Sequence, residues 1–239
     1  MAVRGARRRL LVPTATTAFF MALLLGLGIW QLYRLRWKEG ILAEIAAAEV
    51  AAPVPLAGAP PRFSRVVVHG RYAPGFTALY GVTTRDGPRG PVLGGDALAL
   101  LLRDGAPPLL VDRGWVPAPA MGGAAPPPPA GEVAVVGYVH EAESAGLFTP
   151  RDDAKAKRVF ALDPPVIATE FHLPAPADFV LVAMAADGGA GGPGAGGPIP
   201  AAEMPRPPNN HFQYAMTWFA LAVALGVIYG IHVRRVLRA

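Results

Sequence analysis

Two stretches of the chain carry no charged side chain, Leu10–Tyr33 and Phe212–Ile231. At about 1.5 Å per residue they reach roughly 36 and 30 Å, enough to cross a hydrocarbon core of about 30 Å. A helix satisfies its own backbone polar groups in lipid, so both runs are expected to be transmembrane helices. Between them the pattern changes to short apolar runs punctuated by turn residues. Residues 38–50, rich in Ala, Glu, Leu and Ile, read as a helix continuing from the first span and stopped by Pro53 and Pro55. Phe63–Tyr72, Phe76–Thr84, Leu109–Val116, Val133–His140, Val159–Leu162 and Phe179–Met184 read as strands. Turns are expected at Pro74-Gly75 and at Arg85-Asp86-Gly87-Pro88, while Pro91–Leu102 is ambiguous. Asp163-Pro164-Pro165 reads as the cap and first turn of a short helix through Phe171. Residues 117–131 and 187–198, almost all Pro, Ala and Gly, read as surface loops. The expected fold is a membrane protein with two transmembrane helices flanking one mainly antiparallel β (α+β) domain. Its parts are a tail 1–9, helix 10–33, domain 34–208, helix 209–232 and tail 233–239.

The formal charge of +5 changes meaning once it is located. Arg4, Arg7, Arg8 and Arg9 precede the first span, and Arg234, Arg235 and Arg238 follow the second. All 17 acids fall between Glu39 and Glu203, where residues 39–208 hold 12 basic side chains, so the middle is net acidic. A nucleic-acid binder places its positive patch on the folded module, so no nucleic-acid partner is expected. The basic tails are instead the cytoplasmic signature of a membrane protein, which puts both termini inside and the domain outside, in the periplasm of a bacterium. Arg34, Arg36 and Lys38 oppose this arrangement but are outnumbered by the seven tail arginines. The first run could also be a cleaved signal peptide, yet it ends in Trp30-Gln31-Leu32-Tyr33-Arg34 with no small-residue cleavage site. Trp30, Tyr33, Trp37, Tyr214 and Trp218 suit an aromatic belt at the lipid–water interface.

With no cysteine, disulfides and thiolate chemistry are excluded. No HExxH, P-loop, GxGxxG or GxSxG pattern is present, and the acids are dispersed, so no enzyme is expected. His69, His140 and His172 stand alone and read as ordinary domain histidines. His211 opens the second span, and at helical spacing it shares a face with Tyr214, Ala215 and Trp218, continued by Ala222 and Gly226. Two readings fit: an imidazole wetted by headgroups above belt aromatics, or a haem-iron ligand above a flat surface for the macrocycle. Small residues on that side also permit close helix approach, with Ala22 and Gly26 as candidates on the first span. Trp30, Arg34, Trp37 and Lys38 fall near one helical face and read either as interfacial anchors or as a cationic rim for carboxylates such as haem propionates. In the domain, Asp112-Arg113-Gly114-Trp115 reads first as a buried tryptophan beside an Asp–Arg pair.

Three segments together resemble the Surfeit locus protein 1 family. They are Leu27-Gly28-Ile29-Trp30-Gln31-Leu32-x-Arg34-x-x-Trp37-Lys38, Val111-Asp112-Arg113-Gly114-Trp115-Val116-Pro117, and Asn209-Asn210-His211-Phe212-Gln213-Tyr214-Ala215-Met216-Thr217-Trp218-Phe219. Gly70-Arg71-Tyr72 matches a further family strand end, and Asp112 stands where the family usually has Asn. The resemblance implies an assembly factor for haem-copper cytochrome c oxidase that assists haem a insertion into subunit I. Its implied partners are subunit I, the haem a synthesis machinery and membrane lipid. It implies His211 as a ligand of a transiently bound haem a; Tyr214, Trp218, Trp30 and Arg34 are the side chains that helical spacing offers as its surroundings. The alternative is a haem-free membrane scaffold that stabilises an oxidase assembly intermediate. The short N-terminal tail favours a bacterial inner membrane.

Overall fold

The computed structural model describes residues 2–87, 90–117, 125–185 and 197–238. Helix α1 (Ala2–Val50) is continuous, so the first apolar run and the following Ala-rich segment form one rod. Nothing between Leu10 and Val50 except Pro13 opposes a helix sterically, and the chain leaves it just before Pro53. Seven strands follow: β1 (Val54–Pro55), β2 (Arg65–Gly87), β3 (Gly90–Arg103), β4 (Ala106–Pro117), β5 (Glu132–Glu141), β6 (Arg158–Val159) and β7 (Phe179–Ala183). A short helix α2 (Pro164–Glu170) lies between β6 and β7, and α3 (His211–Arg238) ends the chain. Both α1 and α3 contain stretches long and apolar enough to cross a membrane. The chain packs as two units, the helical segments up to Glu44 and from Arg206, and the sheet domain Ile45–Pro205.

Within the sheet domain the pairings close on themselves: β2 pairs with β3, β3 with β4, β4 with β7, β7 with β5, and β5 again with β2. The two strands expected on either side of Pro74-Gly75 are one strand that bends rather than reverses. Its Arg65–Arg71 part pairs with β5, and its Arg71–Gly87 part pairs with β3. The register shift between Tyr72 and Thr77 brackets Pro74, which has no N–H to contribute to a ladder, and Gly75, whose φ is +84°. The bend lets one strand serve both neighbours and closes the circuit. The ambiguous segment after Pro91 is strand β3, and its hairpin with β2 closes from Gly87 to Gly90. The sheet is mixed rather than purely antiparallel. The long pairings are antiparallel, whereas β4–β7 and the short β1–β2 and β2–β6 contacts are parallel. The strand expected over Val159–Leu162 is only Arg158–Val159. Of the two Pro/Gly-rich loops, residues 118–124 and 186–196 lie outside the described residues.

One apolar cluster draws Val66, Val68, Leu101, Leu109, Val111, Val135, Val139 and Leu181 from all five strands of the circuit, as the inward face of a closed sheet does. A second cluster joins Phe76, Leu98, Leu100, Leu110 and Val180 to Val159, Leu162 and Ile167, so β6 and α2 cover part of the outward face. The cap of α2 is as expected: Asp163 accepts from Val166 N, and Pro164 opens the helix.

Candidate functional site

In the helical unit α1 and α3 run antiparallel. Gln31 meets His211 at one end, Gly28 faces Phe219, Met21 approaches Gly226, and Thr14 meets Tyr229 at the other. Together with the buried Ala215 and Ala222, these positions follow one another at three- and four-residue steps along α3, a single helix face. A Cβ on Gly28 would stand 2.5 Å from the Phe219 ring, so glycine is what admits that aromatic. Thr14 Oγ1 donates to Leu10 O at 2.7 Å, which makes the Tyr229 hydroxyl the donor in their 2.5 Å contact.

His211 Nδ1 lies 2.7 Å from Gln31 Oε1. An amide oxygen only accepts, so the imidazole donates from Nδ1, and it is Nε2 that carries the lone pair of the neutral ring. This is the arrangement that orients a ligating histidine: a second group fixes the tautomer and leaves one nitrogen to the metal. Gln31 was not singled out in the sequence, although it is the only amide side chain between Leu10 and Tyr33. That was a usable signal, since an amide within a span requires a partner.

The other candidates are placed differently. Trp30 is 54% exposed, and Arg34 stacks its guanidinium 3.8 Å over the Trp37 ring, so the cationic rim lies on an exposed flank of α1. Tyr214 is 56% exposed and Trp218 is half-buried. Ala215 and Ala222 are buried, so the small-residue stripe serves helix packing and is not an open groove for a macrocycle. Two polar atoms near the start of α3, Trp218 Nε1 and Asn209 Oδ1, are buried with no hydrogen-bond partner among the described residues.

The sheet domain explains the Asp112–Trp115 motif. Gly114 sits at φ +114°, and a Cβ there would come within 2.1 Å of Ile199 O. Residues 199–201 cross here as a strap, with Trp115 N donating to Ile199 O and Ile199 N to Trp115 O. Asp112 Oδ1 accepts from Gly114 N at 2.8 Å and so braces the irregularity at which β4 shifts register against β3. The expected Asp112–Arg113 pair is not formed, because neighbouring strand residues point to opposite faces. Arg113 instead donates to Pro126 O at 2.6 Å and lies over the Tyr72 ring, joining this motif to Gly70-Arg71-Tyr72. Trp115 is buried, lies over Gly94 and carries the Arg85 guanidinium 5.2 Å from its ring.

The side chains of Asp96, Asp112, Tyr80 and Tyr138 form an electrostatically linked group. Burial, reinforced by the neighbouring Asp96 charge, pushes the Asp112 carboxyl up to about 7 against the opposing Gly114 hydrogen bond and Arg85. Burial also raises Asp96, and it raises the Tyr80 hydroxyl to about 12 with help from Glu143, Asp96 and Asp112. Among the described residues no three His, Cys, Asp or Glu side chains gather into a metal site.

The SURF1 family matches residues 18–223, a range that contains every motif described above. Surfeit locus protein 1 of Mus musculus is 26% identical over 249 residues, covering 92% of this chain and 72% of the mouse protein. Surfeit locus protein 1 of Rattus norvegicus is 26% identical over 241 residues, covering 88% of this chain and 72% of its own length.

Proposed function

The chain belongs to the SURF1 family, and from that premise we propose that it is a membrane-held assembly factor for haem-copper cytochrome c oxidase, assisting haem a insertion into subunit I. The observation that carries the haem step is the Gln31–His211 hydrogen bond, which presents Nε2 of His211 as a free lone pair at a helix start. A porphyrin supplies four nitrogens and needs only an axial imidazole from the protein, which fits an isolated histidine. Because Ala215 and Ala222 are buried, the macrocycle on this reading takes the exposed aromatic flank of α3, where Tyr214 stands with the half-buried Trp218 beside it. Trp30 and Arg34 offer aromatic surface and a cation to propionates from α1. Binding through one neutral side-chain ligand suits a carrier that must release its cargo. The partners on this reading are subunit I, the machinery that makes haem a, and lipid. The setting is a bacterial inner membrane, with both termini cytoplasmic and the sheet domain periplasmic.

The test is the absorption spectrum of the full chain, purified in detergent after co-expression with haem a synthesis. Haem a bands are expected, and His211→Ala should abolish them. Gln31→Ala should weaken retention and shift the bands, because the imidazole loses its fixed tautomer. A blank spectrum in a chain that still copurifies with subunit I would leave the haem-free scaffold as the function.

A further inference from the structure

Strand β2 has an uncovered stretch along one edge. Arg71 pairs with Leu102 of β3 and with Glu132 of β5, so those two strands lie on opposite edges of β2. Leu79 likewise pairs with Ala97 of β3 and with Arg158 of β6. The edge that β5 leaves after Arg71 is therefore the edge that β6 takes up at Leu79. Between them, over residues 72–78, no described strand pairs with it. Pro74 and the left-handed Gly75 spoil the first half of this stretch for pairing, but β2 is regular against β3 again from Thr77. On the edge in question Leu79 N donates to Lys157 O. Backbone groups two residues apart on a strand point the same way, so the N–H and C=O of Thr77 face the gap.

The gap opens into a cleft of about 550 Å³, the size of a site that encloses a small ligand. Phe76 and Phe171, edge to face with ring centroids 5.4 Å apart, form its apolar wall with Leu100. Its polar rim is Lys157, Glu170 and His172. Lys157 and His172 stand at φ +53° and +54°, two of the three left-handed non-glycine residues among those described. Such backbone is costly, and it gathers where a chain is shaped around a ligand. Lys157 and Glu170 carry opposite charges, so the cleft presents no strong field to an anionic lipid or a phosphate. What it presents is a backbone donor and a backbone acceptor in line, beside an apolar wall. The ligand that answers both at once is a peptide strand.

We propose that this cleft binds an extended segment of a partner polypeptide, added as a short strand beside Thr77 with one apolar side chain against Phe76 and Phe171. The site lies wholly within the sheet domain and does not depend on the haem reading. The full chain in detergent is mixed with the blocked peptide acetyl-Lys-Thr-Leu-Thr-Leu-Thr-Lys-amide, and amide hydrogen exchange is read by mass spectrometry. The peptide should slow exchange over residues 73–79 and 169–174 and leave the β2–β3 hairpin, residues 81–95, unchanged. The same peptide N-methylated throughout should bind about tenfold more weakly, the loss expected for two backbone hydrogen bonds. Ala154→Trp fills the cleft from a half-buried position and should abolish the protection with Tm unchanged. Lys157→Gly removes part of the rim and relaxes the left-handed backbone, so Tm should rise while the peptide binds less well. No slowing at millimolar peptide, equal affinity for the N-methylated peptide, or protection that survives both variants overturns the proposal. Two further results also overturn it. Protection of 73–79 that grows with chain concentration alone gives the edge to a second copy, and protection by added phospholipid without peptide gives the cleft to an amphiphile.

Discussion

Asp112 is the residue whose environment and chemistry disagree most. It is 7% exposed and its carboxyl is raised, chiefly by burial, to about 7 from an ordinary value of 3.8. A carboxyl raised on folding takes up a proton that the unfolded chain has already released. Its contribution to stability is therefore complete below about pH 4 and is lost as the pH climbs through about 7. The gap corresponds to at most about 4 kcal/mol. Asp112→Asn keeps the acceptor for Gly114 N and removes the charge. Thermal melts of the detergent-solubilised chain should show a higher Tm than wild type at pH 8 and the same Tm at pH 4. The neighbouring glycine gives the opposite outcome. Gly114→Ala drives a Cβ into the strap at Ile199 O from a left-handed backbone and should lose about 3 kcal/mol or more, read as a lower urea midpoint. The glycine's role was only partly legible in the sequence. A Gly within a strand announces a backbone need, but the strap that creates the need arrives some 85 residues later in the chain. Asp112 and Arg113 were likewise misleading as neighbours in sequence, since strand alternation separates them and assigns Arg113 to Tyr72 and the Pro126 carbonyl.

Elements were legible where a local pattern decided them and obscure where a distant partner did. The two apolar helices, the Asp163 cap and the strands around Leu109 and Val133 follow from periodicity and turn chemistry alone. The bend of β2 does not, because Pro74-Gly75 reads as a reversal unless β5 and β3 are known to need the same strand. The C-terminal end of α2 shows a similar override. His172 stands at φ +54°, with its N–H on Thr169 O and Leu173 N on Ala168 O, a left-handed cap normally given to glycine. His172→Gly should raise stability by about 0.5–1 kcal/mol, visible as an upward shift in Tm. For the helix pair, close approach depends on Gly28, whose Cβ position the Phe219 ring already occupies. With cysteines introduced as Thr14→Cys and Tyr229→Cys, whose native side chains meet across the length of the tyrosine ring, a short bismaleimide should cross-link α1 to α3. Adding Gly28→Leu should push the helices apart and lose most of that cross-link, and it should weaken haem retention through the displaced Gln31–His211 contact.

At the scale of the whole chain, the proposed function requires an orientation in the membrane that lets the sheet domain meet an oxidase from the outside. The charges of the two helical ends bear on it unequally. Before the first span stand four arginines with no acid, and after the second stand three more. At the opposite end of the first span Arg34, Arg36 and Lys38 lie on the same continuous helix as Glu39, Glu44 and Glu49, so basic and acidic side chains balance within the rod through Val50. The positive-inside rule counts Lys and Arg near the ends of a span, and by that count the tails prevail. The orientation can be read with single cysteines in this cysteine-free chain. In intact spheroplasts a membrane-impermeant maleimide should modify Asp104→Cys at once and Leu237→Cys only after lysis. Replacing Arg4, Arg7, Arg8 and Arg9 with glutamine removes the larger tail cluster and leaves Arg34, Arg36 and Lys38 unopposed near the first span. That variant should show partial labelling at 237 in intact spheroplasts and a matching loss at 104. Immediate labelling of Leu237→Cys and protection of Asp104→Cys in the unmodified chain would put the sheet domain in the cytoplasm, where a periplasmic encounter with subunit I is impossible.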